Sequence, residues 1–165
     1  CFGVAPTFGQ AISTATSAEH GGNMDYRLLG PGATVWFPVA ASGALFHLGD
    51  CHFRQGDGEI VGTGIETCFE VTVTLTVEKQ RALTWPRAEM AEDSIAIGNA
   101  RPLDQARQQA TTEMRNWLVA DYGLDVVAAS HLLGQSVRYD VGNVFDPAYT
   151  VACRLGKQWL PPRRD

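Results

Sequence analysis

Residues Ala44 to Glu66 read ALFHLGDCHFRQGDGEIVGTGIE, and this stretch constrains the chain more than any other. Gly49, Gly56, Gly58, Gly62 and Gly64 punctuate it, and Asp50, His52, Gln55, Asp57, Glu59 and Glu66 sit between them. Glycine inside a strand weakens it and marks a bulge or a close backbone approach. Acids and a histidine at this density need water, a metal or chemistry to justify them. The segment therefore reads as the floor of a site, laid across a sheet by tight turns.

The rest of the 165 residues supplies the scaffold. A hydrophobic content of 45% against 19% charged residues marks a globular chain long enough for one domain with a real core, taken as residues 1–165. A net charge of −5 argues against a nucleic-acid groove, which leaves a basic footprint. Arg163 and Arg164 read as a solvated tail. No apolar run reaches the length of a membrane span and no secretory signal is visible, so the expected compartment is the cytoplasm and no membrane partner is expected. Cys1, Cys51, Cys68 and Cys153 are far apart, which argues against a zinc ribbon or a disulfide framework; Cys68 and Cys153 read as buried thiols.

Strands are expected at Phe2–Ala5, Thr34–Val39 (an edge strand, because of Pro38), Ala44–Leu48, Ser94–Ile97, Val137–Val141 and Tyr149–Leu155, with an irregular loop over Thr7–Glu19. The clearest expectation is Glu70–Glu78, EVTVTLTVE: Val71, Val73, Leu75 and Val77 alternate with threonines, the pattern of a half-buried strand. Ala106, Ala110, Met114, Trp117 and Leu118 share one face of a helix over Asp104–Tyr122, closed by Gly123. A second helix begins after Asp125 and ends at Gly134. Strands first and helices late give an α+β class, with β-rich, sandwich-like sheets and two helices near the C-terminus.

Three groups carry chemistry. His52 among carboxylates suits a divalent ion such as zinc, or acid–base work; single Gly-Asp pairs are equally explained as Asx-turns. His20, Asn23 and Asp25 flank Gly21-Gly22, where the backbone can approach a small ligand. Cys1 at the start of the chain joins a nucleophilic thiol to an α-amine that can take up its proton, as in N-terminal hydrolases; a proteolytic cut that stops there by chance is the plain alternative. His47 and His131 read as structural, and the tryptophans as core or edge packing. Phe37, Phe46, Phe53 and Trp36 are candidates to line a pocket.

HGGNMD, FPV, GALFHLGDCHFRQGDGEIVGTGIE, the alternating strand after them and, more loosely, VGNVFDPAYTVACR closely resemble the acetamidase/formamidase family. The resemblance spans nearly the whole chain. It implies a β-rich fold with added helices, hydrolysis of a carboxamide to acid and ammonia, and a bound divalent metal, zinc or calcium. The matching positions are His20, Asn23, Asp25, Asp50, His52, Gln55, Asp57, Glu59 and Glu66. With Cys1, they give an expected site: Cys1, His52, Asp57 and Glu59 catalytic; His20, Asn23, Asp25 and Gln55 on the substrate; Asp50, His52 and Glu66 on a metal. Family members are about twice this long, and in them the GVAP-like strand sits mid-chain. The expectation is therefore a C-terminal half released by cleavage before Cys1, a companion chain carrying the N-terminal half, and a higher oligomer. Two alternatives stay open: a metal-dependent amidase in which Cys1 is incidental, and a non-catalytic subunit that grips a small ligand.

Overall fold

The computed structural model describes residues 1–79 and 81–164. Its frame is a five-stranded antiparallel sheet in the order β4 (Thr34–Trp36), β6 (Arg87–Glu89), β7 (Asp93–Ala100), β9 (Tyr149–Gly156), β8 (Arg138–Asn143). Helix α1 (Leu103–Tyr122) lies across β7 and β9, and α2 (Val126–Ser136) packs beside it. The alternation of β7 explains the layering. Ala96 and Gly98 lie under α1, while Ile95 and Ile97 face away from it with Met24, Tyr26, Ala88 and Ala152. The helix sits so close that a Cβ on Gly98 would lie 2.1 Å from Ala106 O. On the helix side Met114, Trp117 and Leu118 close over Ala96, Cys153 and Leu155, all at most 1% exposed.

The helices begin and end for local reasons. Asp125 caps α2 by accepting from Ala128 N at 2.8 Å, and Gly123 ends α1 in a left-handed conformation, φ 67°. Glu113 of α1 is buried by design: Arg87 on β6 donates Nε to it at 2.6 Å and Thr84 donates its hydroxyl.

A second sheet of two-residue strands, in the order β2 (Ser17–Ala18), β3 (Gly21–Gly22), β1 (Phe2–Gly3), β5 (His47–Leu48), carries the glycine-rich segments. Its shortness departs from the sequence reading. Ala44 and Leu45 have φ of 55° and 53°, so the Ala44–Leu48 strand begins only at His47. The α+β class and the late helix pair stand, with the helices starting and ending within two residues of their expected limits.

Two expectations need correction, and a third needs an addition. Glu70–Glu78 pairs with no strand among the described residues, and Val71, Val73, Leu75 and Val77 are 43%, 45%, 66% and 85% exposed. Alternation records which faces a strand could offer, not whether a partner lies within the same chain. Cys68 is exposed for the same reason, while Cys153 is fully buried. The C-terminal arginines are exposed, as expected of a solvated tail, but they are also docked: Arg163 pairs with Glu89, and Arg164 Nη2 donates to Gly123 O at 2.8 Å.

Candidate functional site

The second sheet brings the start of the chain to the glycine-rich loop. Phe2 and Gly3 pair with Leu48 and His47, and the ladder continues one residue outward: Gly49 N donates to Cys1 O and Cys1 N to Gly49 O, both at 3.1 Å. Gly3 is obligatory, because a Cβ there would meet the backbone N of Gly22 on the paired strand at 2.8 Å. Asp50 follows in the left-handed region, φ 59°, which turns its side chain back toward Cys1. The Cys1 thiol lies 2.9 Å from Asn23 Oδ1 and 3.7 Å from Asp50 Oδ2, and the α-amine sits 3.3 Å from Asp25 Oδ1.

His52 forms the next part of the cluster. A single β-bridge joins it to Glu66, setting Nε2 3.0 Å from Glu66 Oε1 and 3.6 Å from Asp50 Oδ1. Its other nitrogen, Nδ1, is 3.0 Å from Gln55 Oε1, and Gln55 Nε2 is tied to Gly142 O at 3.1 Å. An amide oxygen only accepts, so Nδ1 carries a proton and donates it to Gln55, which aims Nε2 at the two carboxylates. Burial opposes protonation of His52, but the Gln55 hydrogen bond and the Glu66 and Asp50 charges outweigh it and raise its pKa.

Behind Asp25 lies a second acidic group. Carboxylate oxygens of Asp25, Glu59 and Asp146 fall within 4.8 Å of one another. Glu59 is only 6% exposed, held at φ 41° by the turn at Gly58, whose carbonyl accepts from Val144 N. Burial, then the neighbouring Asp25, push the Glu59 carboxyl up to about 7. Burial, Asp25 and Asp50 push Asp146 in the same direction.

Of the residues expected from sequence, Cys1, Asn23, Asp25, Asp50, His52, Gln55, Glu59 and Glu66 converge through these contacts. Asp57 does not. Its carboxylate is turned outward into an ion pair with Arg27 at 2.7 Å, away from the expected catalytic partners, and the φ of 78° at Gly58 separates it from Glu59. His20 is buried beside Gly22, where Glu19 and His47 act on it rather than the carboxylate cluster, and burial lowers its pKa. Phe53 is 74% exposed, and Phe37 packs against Gly21 and the core. Asp146 and the Gly142 carbonyl were missed. They lie in VGNVFDPAY, more than 75 residues from the glycine-rich loop, and only the return of β8 toward that loop joins the two.

The pattern that describes the Acetamidase/Formamidase family matches residues 5–117, more than half of the chain. The chain belongs to the acetamidase/formamidase family. Its similarity extends beyond that region in three dimensions. It superposes on an acetamidase from Yersinia enterocolitica with a TM-score of 0.89 at 39% identity, covering 98% of this chain and 48% of that one. An acetamidase from Bacillus halodurans gives 0.90 at 35% identity, over 96% and 53%. In sequence, a formamidase from Methylophilus methylotrophus is 45% identical over 55 residues, 33% of this chain and 14% of that protein. The chain thus spans about half the length of the solved family structures it matches.

Proposed function

We propose that this chain contributes the reacting groups of an amidase that hydrolyses the C–N bond of a small carboxamide. The observation that carries the reading is the meeting of a thiol, a tautomer-fixed histidine and carboxylates from four separate segments at one face of the short sheet. Family membership supplies the reaction class.

In this reading the Cys1 thiol is the nucleophile. The α-amine beside Asp25 and the Asp50 carboxylate, 3.7 Å from the sulfur, are the groups placed to take up the thiol proton. The thiolate adds to the amide carbon. The C–N bond then breaks as Glu59, whose raised pKa of about 7 leaves a share of it protonated near neutral pH, supplies a proton so that nitrogen leaves as ammonia. Water hydrolyses the thioester, releasing the acid and restoring the thiol. Asn23 orients the sulfur, and Gln55 orients His52.

Asp50, His52 and Glu66 fit a divalent cation, zinc or calcium, because His52 Nε2 is buried without a hydrogen-bond donor and directed at two carboxylates. A cation bound there supplies Lewis acidity and a more acidic water. This second reading leaves Cys1 incidental. Ammonia release from formamide, acetamide and a larger aromatic amide, by wild-type chain and by Cys1→Ala, separates the two. Loss of turnover in a folded Cys1→Ala protein supports the nucleophile, and full turnover that a chelator abolishes supports the metal. No ammonia from any amide, with the other half of the family fold supplied, overturns the amidase reading.

The companion carrying that other half, assembly into a higher oligomer and a cytoplasmic setting belong to the same proposal. Among the described residues no helix is long and apolar enough to cross a membrane. Self-cleavage ahead of Cys1 is tested by the intact mass of the natural protein. A terminus at Cys1 with a second polypeptide co-purifying is expected, and a longer uncut chain with full activity removes that step.

A further inference from the structure

The ribbon at 68–79 has the composition of a core strand and the environment of a surface loop. Among the described residues, no backbone hydrogen bond outside helices and strands involves it, and it belongs to no strand. Phe69, Val71, Val73, Leu75 and Val77 form one row, 43–85% exposed, about 30 Å long when extended. Solvent-facing strand edges are normally blunted by lysine or proline, and 70–78 has neither. An apolar row of this length left in water marks an interaction surface.

Both ends of the ribbon are fixed. At one end Thr67 N donates to Cys51 O at 3.3 Å and Glu66 pairs with His52 of the site. At the other, Glu78 accepts from Trp36 Nε1 at 2.8 Å and from Arg81, which bridges on to Asp121 of α1 at 2.7 Å. The ribbon is therefore suspended between the candidate site and the main core.

We propose that residues 70–78 form a β-strand in the assembled protein, pairing through the backbone with a strand from the half of the family fold that this chain does not span, and burying the odd-numbered apolar row against it. Two observations choose that occupant. The chain covers 98% of itself but 48% of the Yersinia acetamidase, so a family-length fold holds about as much polypeptide again. A second copy is disfavoured by charge: antiparallel self-pairing about Thr74 sets Glu70 opposite Glu78, and parallel in-register pairing sets each acid opposite itself. Because the ribbon runs on directly from Glu66, the incoming half is delivered to the edge of the site. The inference rests on family length and not on the proposed amidase chemistry.

The test co-expresses the tagged full chain with the part of the Yersinia acetamidase that it does not match, and reads association and hydrogen exchange rather than turnover. Co-elution is expected, with the 70–78 amides exchanging about tenfold or more slowly than in the chain alone. Val73→Lys with Leu75→Lys should abolish co-elution, while Gln108→Lys on the exposed face of α1 should not. The proposal is overturned if the halves do not associate, or if they associate without slowing these amides. It is also overturned if the chain alone is an oligomer in which 70–78 is already protected, which makes a second copy the occupant.

Discussion

Gln55 holds His52 from behind: its amide oxygen lies 3.0 Å from Nδ1, and its amide nitrogen is anchored on Gly142 O, 87 residues away. One side chain thereby sets both the tautomer and the aim of the ring that faces Asp50 and Glu66. The consequence is measurable by titrating the chain with zinc or calcium calorimetrically. Binding of one ion is expected, lost in His52→Ala and Glu66→Gln and weakened about 10- to 100-fold in Gln55→Leu, the range typical for losing an orienting partner. Equal affinity in wild type and Glu66→Gln removes this group as a cation site.

Thiol reactivity should separate the cysteines. Cys1 keeps a fifth of its side chain exposed and Cys68 is open to solvent, whereas burial pushes Cys153 up to about 12. Iodoacetamide followed by peptide mass analysis should modify Cys1 and Cys68 in the folded protein and reach Cys153 only after denaturation. Modification of Cys153 at the rate of Cys68 would contradict the packing of β9 beneath α1.

Glu59 gives a pH signature with a definite sign. Its folded pKa, about 7, exceeds the ordinary carboxyl value of 4.5 because of burial and then Asp25. Between those values the folded state holds a proton that the unfolded state has lost, so this group's stabilisation is complete below about pH 4.5 and declines as pH rises to about 7. Urea midpoints for wild type and Glu59→Gln should therefore converge at low pH, with the variant losing less stability across that window. Ammonia release, if Glu59 supplies the proton, should fall above pH 7; a parallel pair of stability curves would sink the assignment.

The Arg87–Glu113 pair should behave as an uncompensated charge once broken. Both side chains are at most 2% exposed, and Arg87 also lies over the Trp117 ring at 5.2 Å. Glu113→Ala should cost about 3–5 kcal/mol in denaturant unfolding, and Arg87→Met with Glu113→Leu should recover most of it. A loss below about 1 kcal/mol in the single variant would mean that the pair is effectively solvated.

Gly98 offers the sharpest packing test. Alanine there would have to share space with Ala106 O, so Gly98→Ala should displace α1 from β7 and expose Met114 and Trp117, read as a red shift in tryptophan fluorescence. Native-like emission and unchanged urea midpoint would show that the helix has room to move.

Sequence was sufficient where a residue's role is local. The 3.6-residue spacing from Ala106 to Leu118, the Asp125 cap and the Gly123 stop wrote the helices, because each acts within a turn or two of itself. The glycine-acid string singled out Asp50, His52, Gln55, Glu59 and Glu66 as candidate site groups, because such residues have no place in an ordinary core. Three-dimensional pairing decided the rest. It turned Glu59 inward to Asp25 and Asp146 and Asp57, two residues away, outward to Arg27, on either side of the left-handed Gly58. It recruited Asp146 and Gly142 from a distant strand end. It also left the most strand-like segment, Glu70–Glu78, without a paired strand among the described residues. Periodicity is a property of one segment, whereas burial is a property of two, and only the folded arrangement supplies the second.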